Sequence, residues 1–281
     1  MTAADHHQPA PAPRAELAEH FLQLLAIVDR LRSPQGCPWD RQQTPQSLIP
    51  YLLEETYEVI ESIEEGNHNG LKEELGDLLL HILFQGQLAQ EHGRFTLADS
   101  IQTISEKLIR RHPHVFGDAK RQDEADINRN WEAEKQREKG RDSLLDGVPR
   151  SLPALTRARR VQEKAASAGF DWPSIAPVWD KVSEEMEELR RACAAGNTGD
   201  IEEEFGDVLF SLVNLSRFLH LNAEGSMRQA IAKFERRFHG IEAVLAKRGR
   251  RLEEADLEEM DAIWNELRQQ EQLRQPQRKE T

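Results

Sequence analysis

Apolar residues recur along this chain at intervals of three and four. Leu52, Val59, Ile60 and Ile63 fall at helical spacing, and so do Leu75, Leu78, Leu79, Ile82 and Leu83. β-Branched runs alternating with period two are scarce, so the pattern predicts helices almost throughout. The stretch Gly66-Asn67-His68-Asn69-Gly70 separates the two apolar runs and predicts a tight turn that folds them into an antiparallel hairpin. Further helices are predicted over roughly 97–111, 127–138, 227–248 and 257–273.

The pattern is written twice. Residues 52–84, LLEETYEVIESIEEGNHNGLKEELGDLLLHILF, are echoed by residues 182–214, VSEEMEELRRACAAGNTGDIEEEFGDVLFSLVN. Glu55 pairs with Glu185, Gly66 with Gly196 and Asp77 with Asp207, each at an offset of 130. The echo widens to GCPWD around Trp39 and GFDW around Trp172. It extends to SEKLIRRH, with Lys107 and Arg111, against AKFERRFH, with Lys233 and Arg237. INRNWEAEKQ around Trp131 matches MDAIWNELRQQ around Trp264. A repeat of this length is an ordinary domain size. The fold class expected is therefore all-α, a tandem repeat of two helical-bundle domains over 17–139 and 154–273. A Gly-, Pro- and Asp-rich linker joins them over 140–153. Disordered tails are expected over 1–16 and 274–281, and His6 and His7 fall in the first as solvated residues.

Composition narrows the field. Of 281 residues, 38% are hydrophobic, enough for real cores, and 31% are charged, as long solvated helices require. A formal net charge of −13 opposes general binding to nucleic acid or an anionic membrane. No stretch approaches the ~20 apolar residues of a membrane helix. The two cysteines, Cys37 and Cys193, form no framework, which fits a reducing cytoplasm.

The chemistry lies in the carboxylates. Each repeat carries EExxE, a gap of 15 residues, then ExxD: Glu54, Glu55, Glu58, Glu74 and Asp77, then Glu184, Glu185, Glu188, Glu204 and Asp207. Glu55 and Glu58 share a helix face at i,i+3, and so do Glu74 and Asp77. Glu58 lies eight residues before Gly66 and Asp77 seven after Gly70, so the hairpin sets them nearly level, each ~10–12 Å along its helix. Four facing carboxylates repel unless a hard cation neutralises them. An all-oxygen set without His or Cys favours Mg²⁺ or Mn²⁺ over zinc. Gly76 and Gly206 sit inside ELGD and EFGD, where a helix-interior glycine costs about 1 kcal/mol relative to alanine. Keeping one twice points to close approach by a helix or a ligand.

Cations for an anionic substrate concentrate in the second repeat. Lys233 and Arg237 are i,i+4 on one helix, with Arg236 on another face, and Lys181 stands one turn before Glu185. Trp264 offers a stacking surface. The first repeat has Tyr51 where the second has Lys181, so the second repeat is expected to be the main catalytic one.

EExxE with ExxD, in EETYEV and EELGDLL, resembles the MazG family of all-α nucleoside triphosphate pyrophosphohydrolases. LRSPQGCPWDRQQTPQSL, RRHPHVFGD, EKAASAGFDW, KFERRF and LEEMDAIWNE are similar to its tandem members, over about 17–269. The resemblance implies Mg²⁺-dependent hydrolysis of NTPs and dNTPs to monophosphate and pyrophosphate, by a metal-activated water attacking the α-phosphorus. It implies a helical homodimer and a role in nucleotide-pool cleansing or stress. By motif, Glu185, Glu188, Glu204 and Asp207 would be the catalytic metal ligands, and Glu55, Glu58, Glu74 and Asp77 a second set. Lys181, Lys233, Arg237 and Trp264 would hold the nucleotide, and Glu184 is a candidate base. Relatives sometimes carry a lysine just before the residue matching Glu204; here the stretch is Asp200, Ile201, Glu202 and Glu203, so that contact is not expected.

Three other readings predict different behaviour. A helical assembly module would show no effect of divalent metal on stability. A nucleotide-binding protein without turnover would share the metal ligands. A di-iron carboxylate oxidoreductase needs repeated ExxH motifs. His81 follows Asp77 at i+4, but Ser211 stands in its place in the second repeat.

Overall fold

The structure, a computed structural model, describes residues 14–117 and 143–274. The predicted helix over 127–138, with Trp131, lies outside the described residues, as do His6 and His7. The chain divides into two compact units, Met1–Gln122 and Asp123–Thr281. Every regular element among the described residues is helical.

In the first unit α1 (Arg14–Arg32) and the short α2 (Pro38–Gln42) precede the hairpin of α3 (Ile49–Glu65) and α4 (His68–Glu91). Two further helices, α5 (Leu97–Arg111) and α6 (Pro113–Phe116), follow. Helix α1 takes in 14–16, the end of the stretch expected to be a disordered tail, and places Glu16 in its first turn, where the helix dipole favours a carboxylate. The hairpin turn has a local cause. Gly66 ends α3 in the left-handed region at φ 68, and the Asn67 side chain accepts a 3.0 Å hydrogen bond from the Gly70 N–H to start α4. Helix α5 starts on a reciprocal cap between Thr96 and Asp99 and has the ends its periodicity predicts. Val28, Leu48, Leu83, Phe84 and Leu88 form the core, with α1 laid across α4.

The second unit contains α7 (Ala154–Ser167), then the hairpin of α8 (Ile175–Ala195) and α9 (Thr198–Phe218). Next come α10 (Ala223–Lys247), a 3₁₀ turn at Leu252–Glu254, and α11 (Leu257–Arg274). Gly196, at φ 76, and Asn197 repeat the hairpin turn. Helix α10 begins four residues earlier than predicted because Asn222 caps it, accepting from the Gly225 N–H at 3.1 Å. Val178, Val182 and Leu215 lock α8 to α9, while Ile241, Leu245 and Ile263 form a separate core between α10 and α11. Helix α7 packs on α9 and also touches α10.

Candidate active site

Each hairpin brings three of its four expected carboxylates together, and the aspartate that the spacing set level with Glu58 or Glu188 is not in the cluster. Carboxylate oxygens of Glu185, Glu188 and Glu204 lie within 4.8 Å of one another, and so do those of Glu55, Glu58 and Glu74. Asp207 and Asp77 stand one turn beyond Glu204 and Glu74 and act on the clusters through charge. Burial, then the charges of Glu188, Glu185 and Asp207, pushes the Glu204 carboxyl up. Burial, then the charges of Asp77, Glu58 and Glu74, pushes the Glu55 carboxyl from 4.5 to about 7. Glu74 is raised likewise, by burial first and then by Glu58.

The two clusters differ in their counter-charge. In the second unit the Lys181 ammonium lies 2.8 Å from Oε1 of the buried Glu185 and 2.9 Å from Oε1 of Glu184. Those bonds, Glu185 first, raise the lysine. In the first unit the matching Tyr51 stacks on His81 with ring centroids 6.4 Å apart, and Trp39 meets its edge at 5.9 Å. Burial lowers the His81 imidazole, against the opposing charge of Asp77.

Beside the second cluster opens a cavity of about 610 Å³. Asp207, Phe210, Ser211, Asn214 and Arg217, at intervals of three and four on α9, form one wall. Helix α7 supplies the opposite wall through Val161, Gln162 and Ala165. At the far end Arg217 grips Asp171 through two hydrogen bonds, one of 2.8 Å. Lys181, Glu185 and Asp207 reach the cavity, so its charged end is the carboxylate cluster. Helix α9 continues the sequence-predicted carboxylate face directly into an apolar chamber, an arrangement suited to a ligand with one anionic and one flat apolar end.

Lys233, Arg237 and Trp264 are not among the residues lining this cavity. They belong to the α10–α11 pair. Arg237 lies 2.8 Å from Glu271, and its guanidinium sits 5.2 Å over the Trp264 ring. Trp264 also meets Phe234 at 5.3 Å and packs against the Ile241, Leu245 and Ile263 core. Arg236, expected at the surface, is largely exposed and also reaches Glu271, at 3.0 Å. The two helix-interior glycines likewise need a different account. A Cβ at Gly76 or Gly206 would meet nothing within 4 Å, so packing within the described chain does not explain them. Gln162 and Asn214 had no motif to mark them. Asp171 lies in the GFDW echo, which gave position but no role.

Fold and site together define a duplicated all-α protein whose helical hairpins each present a clustered carboxylate set. Comparison with known proteins makes this specific. The MazG nucleotide pyrophosphohydrolase domain matches twice, at residues 43–116 and 177–240. The chain is 47% identical over 250 residues to the Thermotoga maritima nucleoside triphosphate pyrophosphohydrolase/pyrophosphatase MazG, covering 88% of this chain and 95% of the relative. It is 45% identical over 254 residues to an Escherichia coli nucleoside triphosphate pyrophosphohydrolase, covering 88% and 97%. A Mycolicibacterium smegmatis protein of the same description is 34% identical over 230 residues, covering 73% and 69%. The chain belongs to the MazG family.

Proposed function

We propose that this chain hydrolyses nucleoside triphosphates, ribo and deoxy, to monophosphate and pyrophosphate, with the second unit as the main site. The observation that carries this reading is the Glu185, Glu188 and Glu204 cluster at the charged end of an apolar cavity. The donor set fits a hard divalent ion: all oxygen, converging within 4.8 Å, with the Glu204 carboxyl raised by burial and by its acidic neighbours, a repulsion that a cation would relieve. Glu185, Glu188, Glu204 and Asp207 would hold Mg²⁺, or Mn²⁺ in its place. Such an ion supplies charge neutralisation and activation of water.

The protein's own groups orient and neutralise the substrate. Water attacks the α-phosphorus and gives up its proton to a carboxylate, with Glu184 the candidate base; the bond from that phosphorus to the bridging oxygen breaks, and pyrophosphate leaves with the electron pair. Lys181 is poised between carboxylates and substrate, a point charge able to turn from Glu185 to a phosphate oxygen when a metal takes over that carboxylate. Lys233, Arg237 and Trp264 are proposed to serve a nucleotide bound across a homodimer, from the α10–α11 pair of a second chain. Exposed apolar side chains such as Met186, Phe205, Ile231 and Phe234 support such an assembly.

The first unit keeps its carboxylates but fills its cavity position differently. At the offset of 130, Asn214 and Ser211 correspond to Phe84 and His81. Phe84 is buried in the first unit's core. This supports a lesser or structural role for Glu55, Glu58, Glu74 and Asp77. No helix among the described residues is long and apolar enough to cross a membrane, and a role in the cytoplasmic nucleotide pool fits the proposed reaction.

The test is product analysis by ion-exchange chromatography after incubation with Mg²⁺ and each NTP and dNTP. Monophosphate with pyrophosphate is expected. Diphosphate with orthophosphate would place the cleavage elsewhere, and binding without turnover would move the protein to the nucleotide-binding class.

A further inference from the structure

Gln162 is a buried residue on the cavity wall whose polar capacity the described structure leaves half used. The residue is 7% exposed. Its Nε2 donates a 2.8 Å hydrogen bond to the Phe210 carbonyl, and its Oε1 is buried with no partner. The orientation of the amide is dictated chemically: a carbonyl can only accept, so the NH₂ group must face Phe210 and the oxygen must face away. A buried acceptor left unpaired costs about 1–3 kcal/mol, so the position makes physical sense where a ligand completes it.

The neighbours say what kind of ligand. Val161, Ala165 and Phe210 give apolar walls, and Phe170 stands at the rim, surfaces that suit a flat aromatic ring. Asn214 accepts from Arg217 through Oδ1 at 2.9 Å, and its Nδ2 donates to nothing among the described residues, so the same cavity also offers a donor. Phe210 lies three residues beyond Asp207 on α9, and helix carbonyls point toward the C-terminus. The Gln162 amide therefore sits roughly one and a half turns, ~8 Å, from the carboxylate end. That is the sense in which a nucleotide runs from α-phosphate through ribose to base.

We propose that this cavity is a nucleobase pocket in which Gln162 Oε1 accepts a hydrogen bond from an N–H on the base edge remote from the sugar. The inference rests on the carboxylate cluster being the phosphate end. Adenine and cytosine offer an exocyclic amino group there, and guanine and uracil a ring N–H. The pocket therefore admits all four bases and selects against a base stripped of its donor. Trp264, proposed to stack from a second chain, would address the face of the base, and Gln162 its edge.

The experiment compares α,β-methylene-ATP with the same analogue of purine riboside triphosphate, which lacks the 6-amino group, by calorimetric titration of the full chain with Mg²⁺. The wild type is expected to bind the amino-bearing compound at least about tenfold more tightly, the scale of one hydrogen bond to a buried acceptor. Gln162→Leu should reduce that ratio to about one by weakening the amino-bearing compound alone. Equal binding of both by the wild type overturns the proposal without any mutation. A ratio preserved in a Gln162→Leu chain of unchanged circular dichroism, or no binding of either compound, overturns it as well. Because neither compound can be cleaved, the result is separate from turnover. Selective binding by a chain that fails to hydrolyse ATP would sink the proposed reaction and leave the pocket standing.

Discussion

The Lys181 ammonium sits 2.8 Å from the buried carboxylate of Glu185, in the place where a metal ion's charge would be felt. The second unit thus carries an internal cation against its own acidic cluster. The first unit has Tyr51 there and leaves Glu55 with a pKa of about 7. Lys181→Met should therefore destabilise the metal-free second unit, by about 1–2 kcal/mol once solvent exposure of the lysine is allowed for. Mg²⁺ should recover most of that loss. Thermal melts with chelator and with Mg²⁺ check this; a variant equally destabilised in both conditions would show that the lysine is only packing.

Glu188→Ala and Asp207→Ala should each lower kcat by about a thousandfold or more, with helical circular dichroism intact. Glu58→Ala, its partner at the offset of 130, should lower it by no more than a few-fold. Initial rates of pyrophosphate release on the three variants decide the matter. Equal losses from Glu58→Ala and Glu188→Ala would make the first unit an equal catalytic partner.

The pH dependence of stability follows from Glu55. An acid whose folded pKa is raised binds its proton more tightly folded than unfolded. The stability it contributes is thus present at low pH and lost as pH rises from about 4.5 through about 7. Glu74 and Glu204 are raised and act in the same sense. In chelator, denaturant midpoints should fall over this window, and Glu55→Gln should flatten part of the slope. The stabilisation given by Mg²⁺ should be larger at pH 8 than at pH 5. A slope unchanged in Glu55→Gln would remove this residue as its source.

How much of this was readable beforehand follows the range of the interactions. The hairpins and their carboxylates were legible because every cause is local: apolar spacing, a Gly-Asn turn, and acids three residues apart. The start of α10 was missed by four residues because a capping asparagine, Asn222, outweighed the hydrophobic pattern. The cavity was not legible at all. It depends on α7 crossing α9, and Gln162 becomes distinctive only when Phe210 consumes half of its amide. Lys233, Arg237 and Trp264 came from motif resemblance, and a single chain does not bring them to the cavity because their partners lie in the α10–α11 pair.

The pair at the cavity's far end makes an acid-sensitive brace. The Arg217 guanidinium, bonded through both terminal nitrogens, holds the Asp171 carboxyl below its ordinary value of 3.8. Its stability is present above that value and lost as pH falls through the lower folded one. Arg217→Met should cost about 1 kcal/mol at neutral pH, as expected of a bidentate ion pair that stays partly open to solvent. A urea titration measures it. A loss under 0.5 kcal/mol would show that Asp171 is solvated well enough alone.

Gly206 separates two kinds of cause. A glycine inside a helix costs about 1 kcal/mol against alanine, and nothing in the described chain approaches within 4 Å of the missing Cβ. Gly240 is the contrast: its Cβ would come 2.6 Å from Leu267 Cδ1, so packing of α10 on α11 accounts for that glycine. Gly206→Ala should then raise thermal stability, by up to about 1 kcal/mol, if only the isolated fold is at stake. Beside Asp207 and Glu204, however, the same methyl would stand where the proposed substrate or the proposed second chain would come close. We expect stability to rise while KM for nucleotide increases, or while dimer mass is lost in light scattering. A rise in stability with both unchanged would mean that neither ligand nor partner approaches there, and the glycine would lose its functional reading.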